Sequence, residues 1–281
     1  MKTKFFACIL FLISCSLNVF AFQNATGEEG TAAVTAVQNK AELTENIVLK
    51  FSGEFQYMLM TDLNNVIYTG NLYANYPTKG YTLVNTGILG SLELDYRSNS
   101  IYIGPRIGYL YCIPGTRTYS NTVVPAASYK STYSPSLIPL EISAGYDLPI
   151  KKIISSLDIP VFINLALYTG YAWAAYSVKN DVTNDATNGT YSRVINYYGG
   201  GASSELKAGL KYADSKGAGL TAGLNIGYRY AIIPYLKTDK DYTVTTSNGK
   251  VLTVKANTSY NNFTSMDYRG ITGSLDLGYA F

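Results

Sequence analysis

Eleven polar side chains that could do chemistry recur at alternate positions of apolar-rich segments: Glu54, Glu93, Asp95, Arg106, Glu141, Asn164, Glu205, Lys207, Lys211, Arg229 and Asp276. Glu93 and Asp95 are paired carboxylates, a type suited to acid–base work, and a Ser-Lys pair is a second conceivable site. The 281 residues contain no histidine, which removes the usual general base, the usual zinc ligand and the middle member of a Ser-His-Asp arrangement. Asp239 and Asp241 lack the further oxygen ligands that a divalent cation needs. Gly199-Gly200-Gly201 precedes a strand instead of opening a helix, so it reads as a loop end and not as a phosphate cradle. No metal, no cofactor and no enzyme activity are expected. The triplets Asn188-Gly189-Thr190 and Asn257-Thr258-Ser259 match the pattern of glycosylation acceptors.

The elements that must position these groups are strands. Leu49, Phe51, Gly53, Phe55, Tyr57 and Leu59 alternate with Lys50, Ser52, Glu54 and Gln56, a period-two pattern with one apolar and one polar side. It returns seven times, over Ile88–Tyr96, Ile101–Tyr111, Ile138–Leu148, Ile159–Trp173, Ser204–Tyr212, Leu220–Ile232 and Ile271–Phe281. Past the first 21 residues the chain has no apolar run long enough for a membrane helix, and alternating apolar residues are compatible with a membrane only as a closed barrel. The fold class expected is all-β, a closed antiparallel transmembrane β-barrel of eight strands. A tenfold count arises if Tyr242–Lys255, which alternates around Asn248-Gly249, spans as well; its short arms favour a hairpin above the membrane.

Connection lengths set the topology. Arg97–Ser100, Pro149–Asp158 and Ala213–Gly217 are short, whereas Thr61–Gly87, Cys112–Leu137, Ser177–Ser203 and Ile233–Arg269 are long. Short turns face the periplasm in such barrels and long loops face outward. Outward aromatics collect at strand ends as two interfacial girdles: Tyr57, Tyr109, Tyr111, Tyr171, Trp173, Tyr228 and Tyr230 at one level, and Tyr96, Tyr146 and Tyr212 with Tyr279 and Phe281 at the other. A soluble ligand-carrying barrel would alternate equally, but with its apolar face inward.

Residues 1–21 carry Lys2 and Lys4, an apolar stretch Phe5–Ile13 and small residues at Val19-Phe20-Ala21, the plan of a cleaved signal peptide. Leu12-Ile13-Ser14-Cys15 also resembles a lipobox, which leaves lipidation at Cys15 as an alternative. Cleavage removes two of 22 basic residues and none of 19 acidic ones, leaving a net charge of about +1 and no reason to expect nucleic acid as a partner. Cys112 is then the last cysteine, so no intrachain disulfide is possible. Residues 22–46 show no alternation and read as a periplasmic tail with a short helix around Thr31–Thr44; residues 47–281 form the barrel.

The chain closes on Leu275, Leu277, Tyr279 and Phe281, which looks like the C-terminal assembly signal of outer-membrane barrels. With eight strands and four long loops, the chain resembles the small-barrel superfamily of OmpA-type, OmpX-type and OmpW-type porin-family proteins. That resemblance implies a bacterial cell outer membrane, its lipid, and the barrel assembly machinery as partners. Barrel enzymes of similar architecture use histidine, so their chemistry does not carry over. An eight-stranded lumen is just wide enough for its side chains, so Glu54, Arg106, Glu141, Glu205, Lys207 and Arg229 are expected to form a paired network that closes it. Two functions follow as expectations. One is a structural, surface-antigen role through Tyr-, Ser- and Asn-rich loops that meet a host or cell-surface ligand; the other is a narrow porin-like channel.

Overall fold

The computed structural model describes residues 46–72, 78–120, 126–154, 159–213, 219–259 and 265–281. The expected signal peptide, Cys15 and the helix around Thr31–Thr44 lie outside the described residues. The elements are β1 (Asn46–Met58), α1 (Thr61–Leu72), β2 (Thr78–Thr82), β3 (Thr86–Ser98), β4 (Ile101–Cys112), β5 (Gly115–Ser120), β6 (Ser128–Pro149), β7 (Val161–Asp185), β8 (Gly189–Ala213), β9 (Gly219–Ile233), β10 (Lys237–Thr238), β11 (Tyr242–Thr245), β12 (Val251–Val254), β13 (Met266–Asp267) and β14 (Gly270–Ala280). A single 3-10 turn, Ile150–Lys152, follows β6.

Eight strands close a ring in the order β1-β3-β4-β6-β7-β8-β9-β14, and β14 returns to β1 from Val48↔Ala280 through Met58↔Gly270. Every pairing is antiparallel, so no barrel strand is left with an open edge at membrane height. Alternation fixes the register: in β1 Phe51, Phe55 and Tyr57 are half-exposed or more, while Lys50, Ser52, Glu54 and Gln56 are buried. A slip by one residue would carry Glu54 to the outside, which makes the register costly to change. The apolar face is therefore the outer one and the charged face the inner one, the reverse of a soluble barrel.

The short β3–β4 turn is Asn99-Ser100, where Asn99 adopts φ 54°, a left-handed conformation that asparagine tolerates better than most residues. The segment Tyr242–Lys255 forms the separate β11–β12 hairpin outside the ring, so the barrel count is eight. Its turn is wider than the Asn-Gly pair suggested: the Gly249 amide donates to Thr246 O at 3.0 Å and Gly249 sits at φ 80°, which brings Thr246 opposite Lys250.

Two expectations are corrected. Ser177–Ser203 and most of Cys112–Leu137 are not loops: β6, β7 and β8 run on through them for 22, 25 and 25 residues, and Gly199-Gly200-Gly201 lies inside β8 opposite Ala172–Ala174. These stretches are polar because they leave the membrane, yet Val178, Val182, Ile195 and Tyr197 keep the apolar alternation going on one side. β7 and β8 are about twice the length of β4, an excess of roughly 40 Å of strand. The second correction concerns the interior, which is apolar and not charged toward the long-loop end. Met58, Leu89, Leu110, Cys112, Leu137, Ala172 and Tyr268 are buried there and share one cluster with Leu63 and Ile67 of α1. Leu63 and Ile67 are one helical turn apart, and Asn64 ties the helix down by exchanging hydrogen bonds with the backbone of Val84, 2.9 Å each way.

Candidate functional site: the charged lumen

Five strands deliver six ions to one point inside the barrel, β8 supplying both Glu205 and Lys207. Arg106 of β4 lies 2.7 Å from Glu205, 3.1 Å from Glu54 and 3.3 Å from Glu141. Arg229 of β9 meets the same three carboxylates at 2.5, 3.6 and 3.2 Å respectively. Lys207 sits 2.6 Å from Glu54 and 3.5 Å from Glu205. Each of the six is at most 2% exposed, and three acids against three bases leave the cluster neutral. Neutral groups add further hydrogen bonds: Ser203 donates to Glu141 at 2.6 Å and Thr272 to Glu205 at 2.9 Å, while Ser91 accepts from Arg106 Nε at 3.1 Å; Glu54 Oε1 and Arg229 Nε are left without a hydrogen bond. A buried charge is tolerated only when paired and hydrogen-bonded, and that is the condition of every ion here.

A second group lies toward the short-turn end and is also balanced three to three. Lys50 pairs with Glu93 at 2.8 Å and Asp95 at 3.5 Å; Arg97 and Lys211 hold Asp147 at 2.9 and 3.2 Å. Asn164 donates to both Asp147 and Tyr102, and Ser143 donates to Asp95. Tyr168 joins the two groups. The guanidinium of Arg106 stands 4.3 Å from its ring centre, and Lys207 and Lys50 stand at 5.3 and 5.9 Å. Tyr102 plays the same part lower down with Lys50, Arg97 and Lys211. Its ring lies where a side chain on Gly145 would have to be, since a Cβ there would fall 2.1 Å from the ring carbon. Glu93 and Asp95, the carboxylates singled out for acid–base work, are thus spent on Lys50 and Ser143.

Lys50, already on the polar side of the first strand, is joined in the lumen by Arg97, Asp147, Tyr102 and Tyr168, which reading by residue type passes over. Strict alternation would have found them: Arg97 stands two after Asp95, and Asp147 six after Glu141. Asp276 takes a hydrogen bond from Asn225 at 2.7 Å. Asp241 anchors Lys255 and the amide of Ala256, and Asp239 accepts from Tyr242, so both are committed to the hairpin. Among the described residues no group of three His, Cys, Asp or Glu could hold a metal ion. The girdle residues Tyr57, Tyr96, Tyr109, Tyr111, Tyr146, Trp173, Tyr212, Tyr228 and Tyr230 are exposed on the outer face, and Tyr171 lies partly covered with its ring edge-on to Trp173. Leu275, Leu277, Tyr279 and Phe281 point outward along the end of the chain.

No protein-family model matches the chain, and no curated protein matches it. Solved structures do align with it. Neisserial surface protein A is 14% identical with a TM-score of 0.33, covering 84% of this chain and 97% of that one. The outer membrane protein OprG of Pseudomonas aeruginosa is 12% identical with a TM-score of 0.36, covering 85% and 96%. The outer membrane protease OmpT of Escherichia coli is 8% identical with a TM-score of 0.33, covering 88% and 100%. At such scores the assignment rests on the strand ring itself and on its inverted polarity. By those two features the chain is an eight-stranded antiparallel transmembrane β-barrel, the architecture of the small outer-membrane barrels that its sequence resembles.

Proposed function

We propose that this barrel is a closed outer-membrane scaffold whose work is done by the β-structured region beyond the membrane, and not a channel or an enzyme. The observation that carries the reading is the double closure of the lumen: a neutral, fully paired ion network, and above it an apolar cluster that includes α1. Opening a path would require separating buried ion pairs, at several kcal/mol for each ion left alone. The absence of histidine supports a non-catalytic role. In this reading residues 1–21 direct export, Leu275 to Phe281 address the assembly machinery, the girdles seat the barrel in outer-membrane lipid, and β5 to β8 with the β11–β12 hairpin meet a ligand outside the cell.

Liposome swelling with small sugars tests this reading, with an unboiled gel shift to verify that the barrel has formed. Vesicles carrying the folded protein should swell no faster than empty ones. Swelling that depends on solute size would overturn the closed scaffold in favour of a narrow channel.

A further inference from the structure

Beyond the girdle residues, β2, β5, β6, β7 and β8 continue as one sheet, and its face on the barrel-interior side carries a row of residues directly opposite one another: Tyr81, Arg117, Ser131, Asn180 and Arg193. Residues opposed in this way share a face. The next row outward holds Tyr119, Tyr129 and Tyr191, and the row beneath holds Tyr133, Val178 and Ile195, the last three buried in the apolar cluster. Tyr119 and Tyr129 stack at 4.8 Å, and the Arg117 guanidinium stands 5.7 Å from the Tyr119 ring.

The two faces of this sheet treat their charges differently. On the opposite face Lys179 pairs with Asp181 at 3.1 Å, and Asp181 also takes the Ser192 hydroxyl. On the inner face neither Arg117 nor Arg193 has a carboxylate partner among the described residues, and the Nε of each is buried without a hydrogen bond. Asp185, at the rim, is occupied by Tyr129 and by the amides of Thr187 and Asn188. Asn180 spends its oxygen on Ser131 at 2.8 Å, so what it offers is its NH2 donor. A guanidinium fork kept half-buried without an anion is built to receive one.

We propose that this face binds an acidic oligosaccharide, the tyrosine rings taking the apolar faces of the sugars and Arg117, Asn180 and Arg193 taking their anionic groups. Three strand spacings separate the two arginines, roughly 14 Å, so a single small anion cannot span them and a chain bearing repeated charges can. The proposal rests on the scaffold reading and names the class of ligand for the exposed region.

The test is calorimetric titration of the folded full chain in detergent with tetragalacturonate, a heparin-derived tetrasaccharide, neutral maltotetraose and inorganic phosphate. At least one acidic tetrasaccharide should bind about tenfold or more tightly than maltotetraose or phosphate, and each of Arg117→Gln and Arg193→Gln should weaken it about tenfold. Lys130→Gln, on the opposite face of the same sheet, should leave the affinity unchanged. An unboiled gel shift establishes that each variant is folded. No preference for the acidic sugars, full affinity in the arginine variants, or an equal loss in the Lys130 variant would overturn the proposal. Vesicle swelling reads the scaffold separately: a permeable barrel sinks that reading while this titration still stands or falls by itself.

Discussion

From Lys211, Arg97 and Asp147 up to Glu54 and Arg229 the lumen is filled by ions, each within reach of a named partner; from Leu89 and Leu137 up to Ile67 it is filled by hydrocarbon. Both halves exclude a water path, but they fail differently. An ion network is specific, since deleting one member strands its partners without solvent. An apolar cluster depends on volume, tolerates swaps of similar size, and can be completed by an element as short as α1.

The largest effect should come from breaking the charge balance. Arg106→Met leaves three carboxylates facing two cations, and unfolding by urea in detergent should show a loss of about 3–5 kcal/mol. Adding Glu141→Gln restores the balance at two to two and should recover much of that loss. In the apolar half Leu137→Ala should cost about 2–5 kcal/mol through the cavity it leaves, and no charge-neutralising partner should rescue it. A finding that both variants respond equally to Glu141→Gln would erase the distinction between the halves.

The outer face gives a third point of comparison, because lipid punishes a charge that the lumen would pair. Leu275→Arg, on the outer face of β14, should cost about 2–4 kcal/mol, measured by the same unfolding assay. The smallest effect lies at the exposed β7–β8 tip. The Asp185 carboxyl is held below its ordinary value chiefly by the Tyr129 hydroxyl, then by the amides of Asn188 and Thr187. A depressed carboxylate pKa contributes stability that is complete above the unfolded value of about 4 and fades as pH falls through the folded value. Protection of the Thr187 and Asn188 amides, corrected for intrinsic exchange, should therefore drop on going from about pH 5 to about pH 3. Asp185→Asn should remove that pH dependence.

Strands at membrane height were legible because period two is imposed by lipid on one side and a packed lumen on the other; β1, β3, β4 and β14 show it without interruption. That Glu54, Arg106, Glu141, Glu205, Lys207 and Arg229 face one lumen was legible from alternation; which partner each ion takes was not. Glu54 and Lys207 are 153 residues apart, and their meeting depends on the stagger of strands around the ring. Tyr102 and Tyr168 were hidden by residue type, since tyrosine in such a chain suggests a girdle before it suggests a lumen. The extramembrane strands were hidden by composition: outside lipid a strand needs apolar residues only on the side that α1 and the β11–β12 hairpin help cover, so Ser177–Ser203 reads as loop. Among its described residues the helix α1 buries only Leu63 and Ile67 of the apolar ones, and its asparagines and threonines leave too weak a period to see.

Single-channel recording in planar bilayers, on folded protein verified by the unboiled gel shift, tests the double closure most directly. The wild-type barrel should give no conductance steps, and neither should Leu137→Ala, because the ion network remains intact beneath the cavity. Reproducible steps from the wild-type protein, altered in size or ion preference by Arg106→Ala or Glu141→Ala, would contradict the account and make the lumen a pathway.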